Sequence, residues 1–174
     1  ASFNRISVDT DQSTSDSVIL LASGESGQKL INRKSARYDQ FVSSLTELCC
    51  DLAYQLIEDG EGASRIFRVN VLGAKSESDA DLVGKTIVGS PLVKTAVHGA
   101  DPNWGRILAA VGRSGATINI DRLSLTIGKQ CVLRKGQSVT LNSNKIIKLN
   151  KTMNQKEVNF SIDLNIGKYG VQWL

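Results

Sequence analysis

The chain is short of histidine, cysteine, proline and aromatic residues, and each shortage closes off a class of protein. Its 174 residues include one histidine, His98, and three cysteines, Cys49, Cys50 and Cys131. One histidine among scattered carboxylates offers no clustered ligand set, so no metal is expected. An odd cysteine count with two neighbours adjacent is neither a disulfide framework nor a metal-ligand spacing. Free cysteines in an apolar helical run behave as small hydrophobes, which points to a reducing compartment. Only Pro91 and Pro102 interrupt the chain, which argues against a linker-rich or disordered segment. Aromatics make up 5%, so aliphatic side chains and alanine must fill most of the core. No signal peptide, lipidation signal or membrane-length apolar run is visible, and no membrane partner is expected. Nucleotide binding has no P-loop or GxGxxG to rest on, and a serine hydrolase has no GxSxG elbow.

What is present is ordinary globular composition, with 41% hydrophobic and 22% charged residues. A chain of this size buries a core without staples and holds one domain or one with a smaller lobe. The net charge of +4 comes from 21 basic and 17 acidic residues and is spread along the chain. The densest basic run is Lys145, Lys148, Lys151 and Lys156. It lacks interleaved aromatics and reads as a solvated hairpin, so no nucleic-acid partner is expected.

Periodicity orders the elements. Phe3 to Val8 and Ser17 to Ala22 read as strands around a polar turn, and SVILLA is apolar enough to be covered on both faces. From Ser35 to Asp59 the period is helical, with Phe41, Val42, Leu45, Leu48, Cys49, Leu52, Leu56 and Ile57 on one stripe. Gly60 and Gly62 stand just past its end as stop signals. Phe67, Val69 and Val71 alternate in a strand over Arg65 to Ala74. Ser76 to Asp79 fits a capping box before a helix carrying Leu82, Val83, Ile87 and Val88. A further helix spans about Trp104 to Gly112. Beyond Thr117 strands dominate: Leu123, Leu125 and Ile127, a Gly128-Lys129 turn, Val139 and Leu141, Ile146 and Ile147, then Val158 to Leu164. The order predicts α+β layering rather than a doubly wound sheet.

Three segments carry candidate chemistry. DTDQSTSD, Asp9 to Asp16, has hydroxyls and carboxylates able to cap backbone N–H groups. In DGEG, Asp59 to Gly62, two glycines let the backbone bend and swing Glu61 out of helical register; a plain helix end with an exposed Glu is the bland alternative. In GADPNWGR, Asp101 before Pro102 marks a turn, Asn103 can cap the next helix, and Gly105 permits close packing.

Taken together, SFNRISVD, STSDSVILLASG, DGEGASR and HGADPNWGRILAAVGRSG resemble, in order and over most of the chain, the β subunit of ornithine acetyltransferase, also called glutamate N-acetyltransferase. The resemblance implies a layered αββα sandwich of N-terminal-nucleophile type, shared with a class of aminopeptidases. Residues 1–75 would belong to that core and 76–174 to a C-terminal mixed α/β lobe rich in antiparallel strands. It implies a precursor that cuts itself before a threonine, whose hydroxyl becomes the nucleophile and whose α-amino group acts as base. Acetyl would pass from N2-acetyl-L-ornithine to that threonine and then to L-glutamate, in arginine biosynthesis. No cofactor is required; acetyl-CoA serves as donor in the bifunctional type. The implied partner is the α subunit of the same precursor, in αβ heterodimers that assemble into a heterotetramer. The compartment would be the bacterial cytoplasm, or a mitochondrion or plastid in a eukaryote. The nucleophile is expected upstream of Ala1, so neither Ser2 nor Thr10 takes that role and no catalytic residue is expected within this chain. Glu61 aligns with the substrate-contacting Glu of the GEGA motif, while Asp101, Asn103 and Arg106 are expected to be architecture. The alternative is an amide hydrolase of the related aminopeptidase type.

Overall fold

A computed structural model describes residues 2–11 and 15–174. Its elements are α1 (Tyr38–Glu58), β1 (Ile66–Ala74), α2 (Glu77–Val88), α3 (Pro91–His98), α4 (Trp104–Gly112), β2 (Ser124–Ile127), β3 (Gln130–Arg134), β4 (Gln137–Ser138), α5 (Ser143–Met153), β5 (Glu157–Asp163) and β6 (Tyr169–Trp173). Two short 3-10 turns, Phe3–Arg5 and Ile120–Arg122, complete the set.

The strands form one six-stranded sheet in the order β4-β3-β2-β5-β1-β6. β1 runs parallel to β5, and every other neighbouring pair is antiparallel. The alternation Phe67, Val69, Val71 in β1 lies in register with Val158, Phe160, Ile162 in β5. Since side chains alternate across a sheet, these residues share one face. They join a core with Val83 and Ile87 of α2, Val93 and Val97 of α3, and Ile107 and Val111 of α4. The opposite face is polar along Arg68, Asn70, Asn159 and Ser161. At its end α1 lies against it, with Ala53, Ile57 and Ile66 buried and Tyr54 Oη donating to Glu157 at 3.4 Å. Glu157 is held below the usual carboxylate range by the hydrogen bond from Arg68, against the opposing effect of burial.

Local signals explain the helix ends. Ser76 Oγ accepts from Asp79 N–H at 3.1 Å and so caps α2. The Asp79 carboxylate does not close the reciprocal box; it accepts from Thr117 N–H at 3.0 Å and from Ser76 Oγ–H at 2.9 Å. α3 opens on Ser90, which accepts from Val93 N–H, with Pro91 in its first turn, and Gly99 follows its end. α2 closes on the sheet through Gly84. A Cβ there would sit 2.2 Å from Trp173 Cδ1, so only glycine admits that ring.

Several expectations need correcting. Phe3 to Val8 is a 3-10 turn followed by a stretch joined to the sheet's end, with Ser7 N–H donating to Leu174 O and Leu174 N–H to Arg5 O. Ser17 to Ala22 is not a strand. Val18, Ile19, Leu20 and Leu21 are 68 to 90% exposed, because an apolar run becomes a strand only where a ladder partner meets it. The α1 helix forms, yet Phe41, Val42, Leu48, Leu52 and Leu56 of its stripe face solvent. Ile146 and Ile147 lie in α5, capped by Asn142, so Lys145, Lys148 and Lys151 form an exposed helical row rather than a hairpin. The α3 helix stands between the two expected ones, where no helix is expected. The Gly128-Lys129 turn does join β2 and β3 as expected, with Gly128 at φ +57°. The structure is a mixed α+β fold with one sheet, and β1, ahead of the expected division at residue 75, is laddered to β5 and β6 beyond it.

Candidate functional site

The DGEG segment folds into a turn for a stereochemical reason. Ala63 N–H donates to Gly60 O at 2.9 Å, closing a four-residue turn whose third residue, Gly62, takes φ +70°. That left-handed position favours glycine, and it leaves Glu61 at the corner, exposed. The plain helix end is thus followed by a specific turn that projects a carboxylate.

The HGADPNWGR corner meets this turn. His98 closes α3, and its Nδ1 lies 2.9 Å from Ser64 Oγ, two residues beyond Gly62. The Arg65 guanidinium donates to the His98 carbonyl. Within the corner, Asp101 N–H donates to Ala96 O at 2.8 Å and Ala100 takes φ +52°. Arg106 ties α4 to α3 through Leu92 O at 3.0 Å and Thr95 Oγ1 at 2.9 Å. Asn103 makes no side-chain cap; its Nδ2 donates to Asp101 Oδ2 at 3.2 Å instead. Gly105 is exposed, and a Cβ there would meet only Asn103 Oδ1 at 3.4 Å, so close packing is not its purpose. These residues build the corner and do not reach into the cleft beside Glu61.

The SFNRISVD segment supplies the third side. Ser7 and Val8, the 61–67 segment, and Lys94, Val97 and His98 enclose a cavity of about 230 Å³. Its walls combine apolar Ile57, Ile66 and Phe67 with the carboxylate of Glu61 and the cations of Arg65 and Lys94. Burial pushes the Lys94 ammonium below its ordinary range, and nearby Asp9 opposes that. Of the DTDQSTSD segment, Asp9 Oδ1 accepts from Asp11 N–H at 2.8 Å, the local capping its composition predicts. Residues 12–14 of that segment and Ala1 lie outside the described residues. Among the described residues no three His, Cys, Asp or Glu side chains gather as a metal site, and no helix is long and apolar enough to cross a membrane. Sequence reasoning missed Lys94, Ser64 and Arg65. The Ser90-Pro91 start and Gly99 stop could have revealed α3 and, with it, Lys94 one turn before His98.

Fold and cleft define an α+β domain with a small pocket of mixed charge. The chain belongs to the ArgJ family, whose model matches residues 1–174. It is 41% identical over 166 residues to the arginine biosynthesis bifunctional protein ArgJ of Bacillus thuringiensis subsp. konkukian, covering 95% of this chain and 40% of that protein. The protein of the same name from Dehalococcoides mccartyi is 44% identical over 167 residues, with 96% and 40% covered. The crystal structure of the Bacillus halodurans arginine biosynthesis bifunctional protein superposes with a TM-score of 0.92 at 36% identity, over 99% of this chain and 80% of that one. The chain thus spans about 40% of the length of the curated relatives it matches. The family does not favour the amide-hydrolase alternative.

Proposed function

We propose that this chain is the β-subunit part of an enzyme of arginine biosynthesis that moves acetyl from N2-acetyl-L-ornithine to L-glutamate, with Glu61 as a substrate contact. The observation that carries the reading is the convergence of three sequence segments around one cleft, Ser7 and Val8 of SFNRISVD, the DGEGASR turn, and His98 at the head of HGADPNWGR, with Glu61 at its edge. A carboxylate there pairs with the δ-ammonium of acetylornithine in a charge-assisted hydrogen bond. The arriving glutamate carries a carboxylate instead, and the cations of Arg65 and Lys94 on the same cleft temper its repulsion by Glu61.

The nucleophile in this reading is a threonine in the part of the relatives' length that this chain does not span. Its hydroxyl attacks the acetyl carbonyl of acetylornithine, its own α-amino group takes the hydroxyl proton and passes it to the departing nitrogen, and the amide C–N bond breaks so that ornithine leaves as the amine. Glutamate's α-amino group then attacks the acetyl-threonine ester and returns the hydroxyl. The partner is the α subunit of the same precursor, in αβ heterodimers paired into a heterotetramer. The bare apolar stripe of α1 and the exposed run Val18–Leu21 support a partner surface there. The layered αββα sandwich belongs to that assembly, with the seam between its core and the C-terminal lobe ahead of Ile66, because β1 shares a sheet with β5 and β6. No cofactor is needed. Acetyl-CoA is a second donor in the bifunctional type, the word the relatives' names carry. The bacterial cytoplasm is the fitting compartment, given bacterial relatives named for biosynthesis. The test is steady-state kinetics of the full-length protein with both substrates. Parallel ping-pong lines and an acetylated threonine caught by mass spectrometry are expected; intersecting lines with no acetylated residue would remove the covalent route.

A further inference from the structure

Beyond the charge it brings to the cleft, one side chain makes hydrogen bonds that neither substrate binding nor core packing explains. Lys94 leaves α3 half-buried, and its ammonium donates to Val8 O, to Ser7 O at 3.1 Å and to Ser7 Oγ at 3.5 Å. Each of these acceptors is neutral. An ammonium costs desolvation energy when it is drawn from water, so a cation spent on two carbonyls and a hydroxyl marks a segment that must be held. Among the described residues the segment has one backbone tie to the end of the sheet. Ser7 N–H reaches Leu174 O, and beyond it the backbone leaves the sheet. Two glycines let it lie close: a Cβ on Gly60 would meet Val8 Cγ1 at 3.3 Å, and one on Gly89 would meet Thr10 Cγ2 at 3.2 Å. Thr10 itself sits at φ +78°, a left-handed conformation that a β-branched residue rarely takes. Strain of that kind persists only where surrounding contacts impose it. Gly60 is also the first residue of the turn that carries Glu61, so Val8 lies beside the base of that turn.

We propose that Lys94 is a positioning residue for the acetyl-transfer reaction. It pins Ser7 and Val8 against the Gly60–Ala63 turn and thereby fixes where Glu61 stands relative to the substrate's ammonium. This rests on the functional reading above. It concerns ground-state placement of the donor substrate, so its mark falls on KM for acetylornithine more than on kcat.

The experiment compares wild type, Lys94→Met, Lys94→Gln and Lys94→Arg in the full-length protein. Steady-state acetyl transfer from acetylornithine to glutamate is measured alongside thermal unfolding. Lys94→Met is expected to raise KM for acetylornithine about tenfold with kcat within about twofold. Lys94→Arg, which keeps the charge and the donors, is expected to recover most of that loss. Lys94→Gln keeps two donors without the charge; it is expected to fall between, and it carries the comparison if the methionine variant does not fold. Unchanged KM in Lys94→Met and Lys94→Gln, with only a lower unfolding temperature, would overturn the proposal and leave Lys94 a stabilising residue. An arginine variant as impaired as the methionine one would overturn it too. A wild-type protein that transfers no acetyl group would instead defeat the functional reading, and this proposal with it.

Discussion

The stretch up to Glu58 and the stretch from Ile66 onward treat their apolar residues in opposite ways. From Ile66 the chain encloses most of its hydrophobic side chains in one cluster, with Val69, Val71, Leu125, Phe160 and Ile162 at 0 to 1% exposure, while Leu92, Ile120 and Ile147 stay 58 to 65% exposed. Before it, Ile19, Leu21, Phe41, Leu48 and Leu56 are 51 to 90% exposed, although their pattern is just as regular. Periodicity states which face is to be buried and is silent about where the covering surface comes from. In the sheet lobe both surfaces lie in the same stretch of chain. In the α1 region the pattern is complete and the cover is not.

The largest effects should come from the closed region. Phe160→Ala is expected to cost about 3–5 kcal/mol, read from the urea midpoint of this chain. Gly84→Ala gains about 1 kcal/mol of helix propensity. It also drives a Cβ into Trp173, and the overpacking penalty of about 1–3 kcal/mol should leave the variant less stable. Gly62→Ala meets no neighbouring atom, so its cost is the left-handed backbone alone, about 1–2 kcal/mol. Leu52→Ala in α1 should change the stability of this chain by less than about 0.5 kcal/mol. A loss of 2 kcal/mol or more from Leu52→Ala in this chain would erase the contrast. The same substitution costing that much only in the full-length protein would sharpen it.

How much could be read beforehand follows the same division. The β1 and β5 alternation, the α2 cap and the span of α4 were legible because each depends on contacts or caps within a few residues or on a single buried face. Ile146 and Ile147 misled, because two adjacent apolar residues fit a strand as well as one turn of helix, and Asn142 as a cap was the deciding signal. SVILLA misled because β character in an apolar run is conditional on a partner strand. At the site, Glu61 was legible through its glycines, since the turn they form is local. Lys94 was not, because its partners lie 86 and 87 positions away.

Acid provides a smaller and more local probe of the closed region. The Asp79 carboxyl is held below its ordinary value by the hydrogen bond from Thr117 N–H and then by that from Ser76. A carboxyl depressed in the folded state adds stability above its unfolded pKa of about 3.9, and that stability is lost as pH falls through the folded value. Asp79→Asn should therefore flatten the decline in stability below about pH 4. Urea midpoints taken from pH 5 downward check it, and an unchanged slope would show that Asp79 does not contribute.

In the proposed reading the Glu61 turn recognises the donor substrate's ammonium, and Glu61→Gln in the full-length protein removes that recognition alone. Loss of a hydrogen bond to a charged group, worth about 1.5–3 kcal/mol, predicts that kcat/KM for acetylornithine falls by about tenfold or more while the unfolding midpoint holds. An unchanged kcat/KM would contradict the claim and remove Glu61 from the site.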